Sequence, residues 1–129
     1  MYKELLISII VLTLVIVGNI ITQNNTIQSV KKVTNHLEFI REEITKDFVN
    51  IENVKSKIEE LEKVWDEQSE TMAYYIEHNE LEKVETEMTK LKANIDMKEY
   101  AQGVENLDSC SFILKHIKDK TALKVVNIF

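Results

Sequence analysis

The sequence predicts an all-α protein: an N-terminal transmembrane helix followed by a small, mostly antiparallel helical bundle. Three observations carry this expectation. One long apolar stretch opens the chain, the rest repeats its apolar positions at spacings of three and four, and the 129 residues hold no proline and only two glycines, Gly18 and Gly103. A chain with so few breakers, rich in Leu, Ile, Val, Glu and Lys, favours long helices over sheets. The roughly 100 residues beyond the apolar stretch suffice for one small domain and no more. The expected division is an anchor and juxtamembrane joint over 1–25 and a bundle domain over 26–129.

The first element is "LLISIIVLTLVIVGNII", Leu5 to Ile21, interrupted only by Ser8, Thr13, Gly18 and Asn19, with no charge from Leu5 until Lys31. At about 1.5 Å per residue a helix here comes close to spanning a hydrocarbon core of about 30 Å once the next polar residues join it. A cleaved signal peptide would carry small residues one and three positions before its cut. The stretch "VGNIITQNN" offers no such pair, so an uncleaved single-pass anchor in the cell membrane is expected ahead of a signal peptide, with a buried core helix as the third reading. Lys3 abuts the apolar run, whereas Lys31 and Lys32 lie ten residues past its end. That bias favours a cytoplasmic N-terminus and an extracytoplasmic bundle, although the same count admits the reverse.

A polar joint, "TQNNTIQS" from Thr22 to Ser29, leads to Val30, Val33, Leu37, Ile40 and Ile44, one face of a helix. Asp47, a favoured cap residue, precedes Phe48, Ile51, Val54, Ile58, Leu61, Trp65 and Met72, a seam broken only at Gln68. A second helix is expected there, a straight continuation of the first being the other possibility. Leu81, Val84, Met88, Leu91 and Ile95 make a third stripe, and Tyr100, Val104, Leu107, Cys110, Leu114 and Ile117 a fourth. Asn79 and Glu82 have the spacing of a capping box, which marks the start of the third helix. The closing "TALKVVNIF" is too short for another helix of independent stability. Val125, Val126, Ile128 and Phe129 are expected to fold back onto the bundle, since a solvated tail so apolar would be an exposed patch.

The candidates for chemistry are few. A net charge of −6 argues against a phosphate-binding surface, so no nucleic-acid partner is expected. The single cysteine, Cys110, cannot form an intramolecular disulfide and sits on an apolar stripe, where an inert buried thiol is expected. His78 lies among carboxylates in "YIEHNELEKVE" and reads as a structural residue at a helix corner ahead of a metal ligand or a general acid–base. Di-metal carboxylate bundles use Glu-x-x-His on two helices. The residues three positions before His36, His78 and His116 are Val33, Tyr75 and Ile113, so that site is not expected. Trp65, Met72, Tyr74 and Tyr75 cluster near the end of the second helix, as core packing with an amphipathic rim or as a small-molecule pocket. The expectation is no cofactor, no metal, no catalytic residue and no enzyme.

The anchor, with "EELEKVW", "IEHNELEKVE", "LKHI" and the closing "NIF", resembles a bacterial family of short membrane-anchored proteins, domain of unknown function 4363. The likeness extends over nearly the whole chain. Its most specific part is the order Trp65, His78 with Glu80 and Leu81, His116 with Ile117, and Asn127 to Phe129. Phe48 stands where the family's pattern has Trp more often, a tolerable aromatic swap. The resemblance implies an origin in Clostridia and related bacteria, no assigned activity and no catalytic residues, and a YetF-like protein in the same membrane as partner.

The functional expectation is therefore an accessory or scaffolding subunit that acts by protein–protein contact, with another membrane protein, YetF-like on the resemblance, or by self-association. The strict 3,4 spacing also suits a two-stranded coiled coil. The alternative is a small-molecule-sensing bundle with a pocket near Trp65 and His78. Trp65, Tyr75, His78, Asn79, Glu82, His116 and Phe129 are the candidate structural or interaction positions.

Overall fold

In the computed structural model, which describes the backbone of residues 1–128 and side chains as far as Ala122, four helices follow one another: α1 (Tyr2–Ile44), α2 (Ile51–Met72), α3 (His78–Asp96) and α4 (Tyr100–Ile128). The architecture is all-α, with no strand among the described residues.

α1 begins in the apolar stretch, where the few hydroxyls bond back along the helix: Ser8 donates to the Glu4 carbonyl at 2.9 Å and Thr13 to that of Ile9 at 2.8 Å. Polar side chains satisfied in this way cost little in an apolar surrounding. The joint over Thr22–Ser29 does not interrupt the helix. Two of its polar residues extend the buried stripe instead of breaking it, because α2 and the turn that follows it supply their partners. Thr26 shares a 3.0 Å hydrogen bond with the Tyr75 hydroxyl, and Ser29 donates to Gln68 Oε1 at 2.8 Å. Gln68, the one gap in the apolar seam of α2, is thus where α1 places a serine.

α2 starts at Ile51, later than Asp47 suggested. Asn50 is the cap, its Oδ1 accepting the Asn53 amide at 3.2 Å. Asp47 and Phe48 belong to the connecting turn, and the Phe48 ring is 93% exposed. The start of α3 also differs from expectation. Its N-cap is Glu77, with no side-chain hydrogen bond, so Asn79 falls inside the first turn and does not cap. Glu82 reaches back to the side chain of His78, Nε2 to Oε1 3.0 Å, and not to a cap amide. α3 closes with Lys98 in the left-handed region at φ 58°, the Glu99 amide bonding the Asn94 carbonyl and the Lys98 amide that of Ile95. This pair of bonds is a Schellman closure, made here without the usual glycine. The closing segment forms no separate tail, since α4 runs through it to Ile128. The expected fold-back of Val125, Val126, Ile128 and Phe129 lies outside the described side chains.

Short connections make sequential helices antiparallel neighbours. Each helix packs on the next and α4 returns to α1, while among the described residues the backbones of the diagonal pairs stay farther apart. The packed length of α1 is only its second part, from Thr26 onward. The core combines all four predicted stripes: Val33, Leu37 and Ile40 from α1, Val54, Leu61 and Trp65 from α2, Val84, Leu91 and Ile95 from α3, Leu107, Leu114 and Ile117 from α4, all at 2% exposure or less. Burying one such side chain contributes about 1.5–3 kcal/mol, and these stripes hold the bundle together. Gly103 lets α4 approach closely: a Cβ there would lie 3.3 Å from Ile95 Cδ1 and 3.5 Å from Ile44 Cδ1.

Candidate functional site

The end of the bundle nearest the apolar half of α1 gathers most of the sequence-selected polar residues. The antiparallel arrangement brings Thr26 of α1, the α2–α3 turn, the start of α3 and the later part of α4 to one level. Glu80 is its centre. Although charged, it is only 8% exposed, with Oε1 3.6 Å from Lys120 Nζ and 4.0 Å from His116 Nε2. Lys120 also reaches Glu77 at 3.7 Å. Glu80 Oε2 is buried without a protein hydrogen-bond partner and borders a recess of about 10 Å³ between Ile76, Ile117 and Thr121. A space of this size admits about one water molecule, the simplest partner for such an oxygen. Chemically this is an ion-pair cluster that ties α3 to α4. Glu80 and Lys120 were not legible as partners, since 40 residues separate them and no local pattern links the two.

The other candidates scatter. Among the described residues His78 pairs only with Glu82 along its own helix, and it points into solvent, its side chain 81% exposed. Trp65 is 2% exposed and its indole Nε1 donates to Glu85 at 3.3 Å. A shallow groove of about 340 Å³ runs over it between α2 and α3, with Glu62, Asp66, Met88 and Lys92 on its walls. His78 does not line that groove, so the two residues form no common pocket. Asn79 and Glu82 border a wider, open groove between α3 and α4, of about 580 Å³. Tyr75 is half-buried and serves as the latch on Thr26, while Tyr74 beside it is 91% exposed. Phe129 lies outside the described residues.

Cys110 is 1% exposed, and its Sγ lies 3.7 Å from the Val84 carbonyl. Burial, reinforced by the nearby Glu87 charge, pushes its thiol up to about 12. At neutral pH the nucleophilic thiolate is therefore suppressed. Among the described residues no group of three or more His, Cys, Asp or Glu side chains is arranged to hold a metal ion.

The chain as a whole has a match. The family model described as Domain of unknown function (DUF4363) covers residues 20–128, the bundle and the last of the apolar stretch. The chain belongs to this family. No curated protein and no solved structure matches it. Trp65, His78 and His116, on which the resemblance rested, thus fall inside the DUF4363 region. Their places in the fold are distinct: a core indole, a solvent-facing helix start and the rim of the Glu80 cluster. The window of α1 that is apolar enough to cross a membrane has a mean hydropathy of 2.7 and none of it is buried.

Proposed function

We propose that this DUF4363 protein is an accessory or scaffolding subunit, held in a bacterial cell membrane by the first half of α1 and acting through protein–protein contact. The observation that carries the reading is the continuity of α1. An apolar, unburied helix passes without a joint into a packed bundle, and such a device holds a domain at a fixed height and angle. A freely tethered domain would be served by a flexible linker instead. The end of the bundle away from the anchor exposes Phe48 at 93% and Met97 at 71%, and these apolar side chains suit a contact with a second protein in the same membrane. The resemblance suggests a YetF-like protein, and a second copy of the chain is the other partner in view. The charge bias around the apolar run favours a cytoplasmic N-terminus with the bundle outside.

Photo-crosslinking from position 48 in the protein's own membranes, with identification of what is captured, tests this reading. Capture of one other membrane protein supports it. Recovery of nothing, with the full-length chain present and folded, sinks it. A membrane-impermeant maleimide applied to intact cells carrying Phe48→Cys tests the orientation, and absence of labelling reverses the proposed topology. The groove over Trp65 keeps a sensing role in play. A small molecule that binds only the native state raises the melting temperature, and screening for such a shift is the direct test.

A further inference from the structure

We infer that the α2–α3 turn, Ala73 to Glu77, seats on the interfacial layer of the bilayer that α1 enters, with Tyr74 as its contact, so that the bundle stands upright on its membrane. The inference rests on the proposed insertion of the first half of α1. Its geometry comes from one hydrogen bond. The hydroxyls of Thr26 and Tyr75 are 3.0 Å apart, which fixes the turn at the level of residue 26. Thr26 lies five positions beyond Ile21, the last residue of the apolar run. At the α-helical rise that is about 8 Å along the axis. Each headgroup layer is about 5–8 Å thick, so the turn falls at its outer edge.

A tyrosine ring extends several ångströms from its backbone, enough to reach inward from that edge. Tyr74 is free to do so. It is 91% exposed on a domain that packs its neighbour Tyr75 and half-buries Ile76 against the core. Tyrosine favours this layer because its ring is apolar and its hydroxyl wets, the property behind aromatic belts. The turn itself is rigid: the Ile76 amide bonds the Met72 carbonyl at 2.8 Å and that of Tyr75 does so at 3.1 Å, winding the chain tightly at the end of α2. No proline or buried break gives α1 a hinge between the apolar run and Thr26. The occupant is therefore lipid interface and not a soluble ligand, because the same helix that enters the bilayer determines the height of the turn.

The test is depth measurement on the full chain reconstituted in phosphatidylcholine vesicles. A small polarity-sensitive fluorophore is attached at Leu12→Cys, Tyr74→Cys or Phe48→Cys, one at a time, and quenched by nitroxides carried on lipid headgroups or along the acyl chains. Cys110, 1% exposed, stays unlabelled in the folded protein. The expected result is quenching at 12 by acyl-chain nitroxides, quenching at 74 by headgroup nitroxides, and none at 48. Quenching at 12 with none at 74 overturns the inference and leaves the anchor reading intact. Quenching at both 74 and 48 means the bundle lies on its side, which overturns it as well. No quenching at 12 removes the anchor reading, and the seat falls with it.

Discussion

Between Tyr2 and Asn25 no residue of α1 is buried, whereas between Thr26 and Ile44 seven are, although the helix runs through both without interruption. The comparison separates two properties that are often treated as one. Helix formation depends on local propensity and the absence of breakers, and both halves satisfy that. Burial depends on how the apolar residues are arranged around the axis. In the first half they surround it, so no single face has reason to turn inward and the whole circumference calls for an apolar solvent. In the second half they keep to a stripe at Val30, Val33, Leu37, Ile40 and Ile44, and the stripe is covered by α2 and α4.

The sharpest way to break this comparison is to make the same substitution in each half. Leu37→Ala removes a side chain that is 1% exposed and should lower the stability of the bundle by about 2–5 kcal/mol, read by denaturant unfolding of the full chain in detergent. Leu12→Ala removes one that is 58% exposed and should leave that unfolding curve unchanged. Equal destabilisation by the two would mean that the halves share one cooperative core.

A second, smaller effect probes where the boundary lies. Ser29→Ala leaves Gln68 Oε1 without its donor in a partly buried place and should cost about 1–3 kcal/mol. Adding Gln68→Leu should recover much of that loss, because both polar groups are then gone. Asn24→Ala, at an exposed position of the same polar stretch, should change stability by less than about 0.5 kcal/mol. A large loss at Asn24 would move the start of the bundle toward the apolar stretch.

These polar residues also show how far the sequence could be read. The apolar stripes were legible, because period 3.6 is a property of the chain itself. Every residue expected on the α3 stripe is buried, as are Leu107, Cys110, Leu114 and Ile117 of α4. What was not legible depended on a partner distant in sequence. Thr26 and Ser29 read as part of a polar joint until Tyr75 and Gln68 stood opposite them, and nothing local to Glu80 pointed to Lys120 and His116. Caps failed for a different reason. Asp47 lies three residues before Asn50, an equally good cap residue that α2 uses, whereas α3 starts after Glu77, a poor cap residue that makes no side-chain bond, although Asn79 stands two positions on.

Cys110 offers a native probe of how closed the bundle half is. Its folded thiol is pushed up to about 12 from an ordinary value of 9.0. The folded state therefore holds the proton more tightly than the unfolded chain. The stabilising contribution is complete below pH 9 and is lost as pH rises from 9 toward 12, by up to about 1.4 kcal/mol per unit. Cys110→Ala should flatten that alkaline decline relative to the parent when unfolding is measured across the range. In the parent at pH 8, alkylation should be far slower folded than in denaturant. Equal rates would mean that the interior opens freely.

The smallest effects are expected from alanine at the two glycines, one in each half of the molecule. Gly18 has no atom within 4 Å of where a Cβ would be, so Gly18→Ala should leave bundle unfolding unaffected. At Gly103 two terms oppose each other. Alanine favours the helix by about 1 kcal/mol over glycine, whereas its Cβ would come within 3.3 Å of Ile95 Cδ1, the far end of a side chain that can yield a little. Gly103→Ala should therefore shift stability by less than about 1 kcal/mol in either direction, and Gly103→Val, too wide for the gap between Ile44, Ile95 and Leu91, should destabilise clearly. If valine at 103 were tolerated as well as alanine, α4 would not be held tightly against α1 and α3 at this level.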